Sequence, residues 1–228
     1  MSIWTRIAEV ISSIGESVSG FLQSAIARNA GPPEKSVAFT IGMIALGAKM
    51  AKADGVVTAD EIAAFKQVFH IPESELPAVA RVFNLAKQDT AGFESYARQI
   101  ARLFDAQHEI LEDVLDGLFH IAKADNAYHP GEHGFLASVA EIFGFKPEDF
   151  ARIRARHVNV ADDPYLILGL SRDAADDEIR RRYRELVREY HPDRHIAAGV
   201  PQEMIEIATE RLQKVNEAYD RIMKEKAA

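Results

Sequence analysis

The tripeptide His191-Pro192-Asp193 directly follows a segment in which arginine recurs every fourth residue, at 180, 184 and 188, with Arg181 alongside. On a helix, a spacing of four stacks the guanidinium groups along one side, where they attract and steer an acidic surface. The competing reading is an ordinary solvated charged face. Pro192 ends the helix and pushes His191 out of the helical region, so the tripeptide is expected in a loop at the end of the arginine strip. Tyr183 lies at the margin of the buried face, and Arg194 follows the tripeptide.

A second set of candidates is acidic and comes in duplicate. Ala51-Lys-Ala-Asp54-Gly-Val-Val-Thr58-Ala-Asp-Glu61 returns as Ala122-Lys-Ala-Asp125-Asn-Ala-Tyr-His129-Pro-Gly-Glu132, at a constant offset of 71 residues (125 minus 54, 132 minus 61). If the two copies face each other, Asp54, Glu61, Asp125 and Glu132 converge as a weak divalent-cation site, in the manner of carboxylate sites in helix bundles. The structural alternative is local. Thr58-Ala-Asp-Glu61 is a capping box, Gly55 and Asn126 suit a left-handed helix end, and Pro130 suits a first helical position. A calcium loop is excluded, because placing Asp54, Gly55 and Glu61 at its positions 5, 6 and 12 puts Met50 and Lys52 at positions 1 and 3. His129-Pro-Gly-Glu132-His133 matches a zinc-protease pattern only in letters, since Pro130-Gly131 puts His129 at the helix entrance, away from the face of His133.

These candidates sit in helical sequence almost throughout. The 228 residues suffice for two small domains, and 47% hydrophobic with 27% charged residues describes a soluble globular chain. The absence of cysteine excludes disulfides, thiol catalysis and cysteine-ligated metal centres and fits a reducing cytosol. A net charge of −8 argues against a nucleic-acid surface spread over the molecule. Ile3, Ile7, Val10, Ile11, Ile14, Val18, Phe21, Leu22 and Ala25 recur at spacings of three and four, which predicts one amphipathic helix over residues 1–28. Its apolar side is expected to dock on the next domain or on a second copy. Peripheral contact with a membrane surface, with Trp4 near the start, is the alternative. Arg6, Glu9 and Glu16 interrupt it, so a transmembrane span is excluded. Asn29-Ala-Gly-Pro-Pro-Glu-Lys-Ser36 predicts a linker over 29–35, and an all-α domain over 36–155 is built from two related helix-turn-helix units.

A polar linker is expected at 156–162, followed by three ordered segments over 163–228. Asp163-Pro-Tyr-Leu-Ile-Leu-Gly-Leu170 is a short apolar helix halted by Gly169. Residues 176–190 bury Ile179, Leu186, Val187 and Tyr190. Residues 201–224 present Met204, Ile205, Ala208, Leu212, Val215, Ala218, Tyr219 and Ile222 on one side. The second and third pack as an antiparallel helical hairpin with the tripeptide at its tip.

The doubled motif with its flanking helices resembles the TerB-like domain, a tellurite-resistance-associated α-helical module whose acidic positions imply metal binding. The later segments resemble the J domain. The carriers are Pro164-Tyr165, Leu168-Gly169, Glu178-Ile-Arg-Arg-Arg-Tyr183-Arg-Glu-Leu186, Tyr190-His-Pro-Asp-Arg194 and Val215-Asn-Glu-Ala-Tyr219. The long connection through Gly199-Val-Pro-Gln-Glu-Met204, with the TerB-like segment upstream, resembles the DjlA/DjiA-type bacterial co-chaperones, some of which have a membrane span. The resemblance implies a partner-binding role with no active site or cofactor of the chain's own. His191, Pro192 and Asp193 become the trigger for a DnaK-type ATPase, and Tyr183, Arg180, Arg184, Arg188 and Arg194 its docking residues. Glu185 interrupts the basic helix where many relatives carry a basic residue. The expectation is an all-α cytoplasmic co-chaperone with a TerB-like adaptor or regulator. The rival is a divalent-metal-binding stress-response sensor or enzyme.

Overall fold

A computed structural model describes residues 3–13, 17–28, 32–53, 66, 71–88, 92–104, 108–123, 128–158, 163–197 and 202–227, and among the described residues there is no strand. The apolar N-terminal segment forms two helices, α1 (Ile3–Ser13) and α2 (Val18–Ala27), in place of the single one its periodicity predicts. The reason is local chemistry. Ser17 is extended, and its hydroxyl accepts from the Gly20 amide at 3.1 Å, starting a new helix that the stripe of apolar residues cannot reveal. Ile7, Val18, Leu22 and Ala25 of the two helices enter the core of the domain that follows.

The linker expected at 29–35 is shorter. Helix α3 (Pro32–Ala53) already begins at Pro32, where a proline in the first turn loses no helical hydrogen bond. From Val37 to Ala48 every described side chain is buried, the signature of a helix enclosed on all sides. A 3₁₀ turn (Glu73–Glu75) and α4 (Leu76–Gln88), α5 (Phe93–Leu103), α6 (His108–Ala122) and α7 (Pro130–Ile142) surround it, and α8 (Pro147–Ala155) closes the far side of α6 and α7.

The second domain has a separate core. Helix α9 (Pro164–Leu168) is capped by Asp163, whose carboxylate accepts from the Tyr165 amide at 3.1 Å, and it stops at Gly169 with φ +70°. A side chain there would be strained by the left-handed backbone, and its Cβ would stand 3.2 Å from Arg152 Cδ. Helix α10 (Asp176–Glu189) and α12 (Gln202–Ala227) form the hairpin, joined through the short α11 (Pro192–Ala197). Tyr165, Leu168, Ile179, Leu186, Tyr190, Val215, Ala218 and Ile222 fill its interior. Val187, expected inside, is half-exposed. The two domains meet where α12 lies on α6 and α9 on α8. Gly117 in α6 permits that approach, because a Cβ on it would press to 3.3 Å from Ile207 of α12.

Candidate functional site

Asp176, Asp177 and Glu178 fill the first turn of α10, where carboxylates meet the positive end of the helix dipole. The inner face is drawn into the core by Ile179 and Leu186, which turns Arg180, Arg184 and Arg188 outward, all three exposed. Arg184 Nε donates to the Arg180 carbonyl at 3.2 Å, laying one guanidinium along the strip. Glu185 is taken up by other arginines, standing 3.9 Å from Arg181 and 3.5 Å from Arg182. The Tyr183 ring is stacked on Tyr219 at 4.1 Å between centroids, and its hydroxyl donates to Asn216 Oδ1 at 3.0 Å. α12 therefore fixes the tyrosine at the edge of the basic face.

The tip departs from its expected form. Only His191 is non-helical, while Pro192 and Asp193 make the first turn of α11, because proline opens a helix as readily as it ends one. The Asp193 amide donates to His191 Nδ1 at 3.3 Å, and the Arg194 amide to the His191 carbonyl at 3.1 Å. The side chains of His191 and Asp193 are 51% and 81% exposed, so the apex faces solvent. Arg194 turns back to the first domain and meets Glu109 of α6 at 2.5 Å.

Sequence reasoning missed what lies beneath this tip. Three carboxylates of α6, Glu112, Asp113 and Asp116, are buried against three arginines. Arg152 and Arg156, one turn apart on and just beyond α8, reach Glu112 at 2.9 and 2.7 Å, and Arg156 also reaches Asp116 at 3.0 Å. Arg211 comes from α12 of the other domain, 2.7 Å from Asp113, with its guanidinium 3.8 Å from the centre of the Tyr190 ring. The Tyr190 hydroxyl donates toward Glu112 at 3.1 Å and accepts from Arg152 at 2.9 Å. Lys214 of α12 donates to the Arg156 carbonyl at 2.9 Å, so the residues expected to begin a polar linker belong to a packed seam.

Burial alone would raise the Glu112 carboxyl, but Arg156, Arg152 and Arg211 overcome it and hold it at about 2. Asp116 is likewise driven well below the usual carboxylate range, burial being outweighed by the Arg156 charge and the hydrogen bond from His157. For His157 burial prevails over its partner. Burial lowers its imidazole to about 4 despite the Asp116 carboxylate 2.5 Å away, so it sits neutral at physiological pH. Burial and the Glu112 charge push Tyr190 up to about 12. The sequence did carry a signal for this cluster, since Glu112 and Asp116, like Arg152 and Arg156, are spaced by four, and the acids interrupt an otherwise apolar helix.

Of the proposed cation ligands, Asp54, Glu61 and Asp125 lie outside the described residues. Glu132 is buried and accepts from the His129 amide at 2.8 Å, a helix-capping role. His129 is extended at the N-cap, and His133 Nδ1 lies 3.2 Å from the Tyr128 hydroxyl, an arrangement unlike a zinc-protease helix. Among the described residues no group of three His, Asp or Glu side chains is placed to hold a metal ion. Nor, among them, is any helix long and apolar enough to cross a membrane.

Comparison with known proteins agrees with this architecture. Residues 40–155 match the family model described as tellurite resistance protein TerB, and residues 163–227 match that of the DnaJ domain. Similar curated proteins include the co-chaperone protein DjlA of Coxiella burnetii, 29% identical over 96% of this chain and 88% of the relative. The same-named protein of Aliivibrio fischeri is 28% identical over 78% of this chain and 75% of the relative. That of Vibrio vulnificus is 26% identical over 92% and 86%. No solved structure matches. An all-α chain with a TerB domain first, a J domain second and the His-Pro-Asp tip of that J domain in solvent belongs to the TerB family, in its DjlA-type J-domain branch.

Proposed function

We propose that this chain binds a DnaK-type chaperone and stimulates its ATP hydrolysis, without an active site of its own. Arg180, Arg184 and Arg188, with Tyr183, form the docking surface, Arg194 being taken up instead by Glu109 of α6, and His191, Pro192 and Asp193 form the trigger. The observation that carries the reading is the exposure of His191 and Asp193 at the end of an exposed arginine strip, on a hairpin whose other face is buried. A strip of like charge accelerates encounter with an acidic surface, and a proline-started turn leaves little backbone to order on docking. The TerB-like domain then serves as adaptor or regulator, and the chain works in the cytoplasm. Relatives whose names designate them co-chaperones support this reading over a metal-dependent sensor or enzyme.

The test is single-turnover ATP hydrolysis by a DnaK-type protein with and without the chain. Stimulation is expected, with loss in His191→Gln, and a raised half-maximal concentration that is steeply salt-dependent in Arg184→Glu. Hydrolysis indifferent to the chain would overturn the proposal.

A further inference from the structure

The two residues that bracket the His191-Pro192-Asp193 tip, Tyr190 before it and Arg194 after it, both end on one helix of the other domain. The Tyr190 hydroxyl is bound to Glu112, and the Arg194 guanidinium to Glu109. Glu109 and Glu112 are three residues apart on α6 and so share a face of that helix. The two attachments differ in character. Tyr190 is wholly buried with its ring over Arg211, whereas the Arg194 side chain is 55% exposed on a Glu109 side chain that is 20% exposed. One end of the turn is bolted and the other is held by a contact that water can reach. Between them the trigger side chains are left in solvent.

We infer that Glu109 and Glu112 of the TerB-like domain are positioning residues for the trigger, holding both ends of its turn so that it is presented already shaped. This rests on the co-chaperone reading above. A turn that is competent only part of the time binds more weakly by that fraction, so loss of either attachment is expected to cost apparent affinity. It should leave the chemistry of hydrolysis, which belongs to the partner, unchanged. The same contacts could instead have restrained the trigger. That role would call for His191 and Asp193 to be covered or for the arginine strip to be blocked by the first domain, and both stand exposed.

The experiment uses the full chain and three variants: Glu109→Gln, Tyr190→Phe, which removes one hydroxyl and keeps the buried ring, and the two combined. Circular dichroism and the thermal midpoint establish that each folds. Two measurements follow, hydrogen exchange of the Asp193 and Arg194 amides in the free chain, and titration of ATP hydrolysis by a DnaK-type protein. Each single variant is expected to speed exchange and to raise the half-maximal concentration about threefold, and the combined one about tenfold, at unchanged maximal stimulation. Glu109→Asp, which keeps the charge, is expected to recover most of the Glu109→Gln loss. Unchanged exchange and titration in the combined variant would overturn the inference, as would a lower half-maximal concentration, the mark of a restraint released. If the unaltered chain fails to stimulate hydrolysis, the co-chaperone reading falls, and the exchange rates alone still decide whether α6 holds the turn.

Discussion

Replacing Arg211 with methionine tests how the two domains are joined. Among the described residues, Arg211 contributes the one guanidinium that the second domain places among Glu112, Asp113 and Asp116, at 4.0, 2.7 and 3.7 Å. Among the described residues three arginines face three carboxylates there, with His157 neutral, so the cluster is balanced; without Arg211 it keeps one uncompensated negative charge among buried side chains. Removing one partner of a buried ionic arrangement costs about 3–5 kcal/mol, against about 0–1 kcal/mol for an exposed pair. The cation held over the Tyr190 ring adds about 1–2 kcal/mol. Methionine fills much of the vacated space, so the loss is electrostatic more than steric. In urea unfolding followed by far-ultraviolet circular dichroism, Arg211→Met is expected to lower the midpoint by an amount worth about 4–7 kcal/mol, the two losses together. The transition should also split, the J domain unfolding apart from the TerB-like domain. A loss below about 1 kcal/mol with a single sharp transition would refute the reasoning, because it would mean the charges are solvated.

The same cluster makes stability depend on pH. Glu112 and Asp116 fold with lowered values, so their contribution is complete above the ordinary carboxylate range and is lost as pH falls through it, for Glu112 between about 4.5 and about 2. His157 is also lowered, from 6.5 to about 4. The unfolded chain therefore takes up a proton that the folded one refuses, and stability already declines between those values. The urea midpoint is expected to fall from about pH 6.5 to pH 4 through His157 and further below about pH 4.5 through the carboxylates; a flat profile over the first range would contradict the His157 assignment, and over the second the Glu112 and Asp116 assignments. Gly169→Ala, at φ +70°, is expected to cost about 1–2 kcal/mol in the same assay, and a neutral result would mean the turn relaxes without strain. Ser17→Ala removes the hydroxyl that opens α2 and is expected to cost about 0.5–2 kcal/mol, with faster amide exchange at Gly20 as the direct readout.

Much of this architecture was legible because helical periodicity reports burial. Ile179 and Leu186, and Val215, Ala218 and Ile222, are inside where their spacing puts them, and Arg180, Arg184 and Arg188 are outside. Periodicity fails where a cap decides. The stripe from Ile3 to Ala25 runs unbroken through Ser17, yet the chain changes helix there because a serine hydroxyl competes for a backbone amide. It fails again where a buried side chain is charged. Arg211 occupies the inward stripe of α12, between Ala208 and Val215 and beside Leu212, but a rule that assigns arginine to solvent passes over it. Its partners lie about a hundred residues upstream, and no local pattern names them. Val187 errs in the opposite sense, an apolar residue at the edge of its face that the hairpin leaves half-covered.

Gly117 carries a consequence for geometry. Lacking a side chain, it lets Ile207 sink into the surface of α6, and this apolar key sits next to the ionic seam. A lock made of shape and charge together resists both sliding and swivelling, where short linkers alone would allow them. On the proposed co-chaperone reading, a partner of the TerB domain would thus ride at a set bearing from an ATPase docked on residues 163–228, in the way a bracket fixes a lamp to a wall.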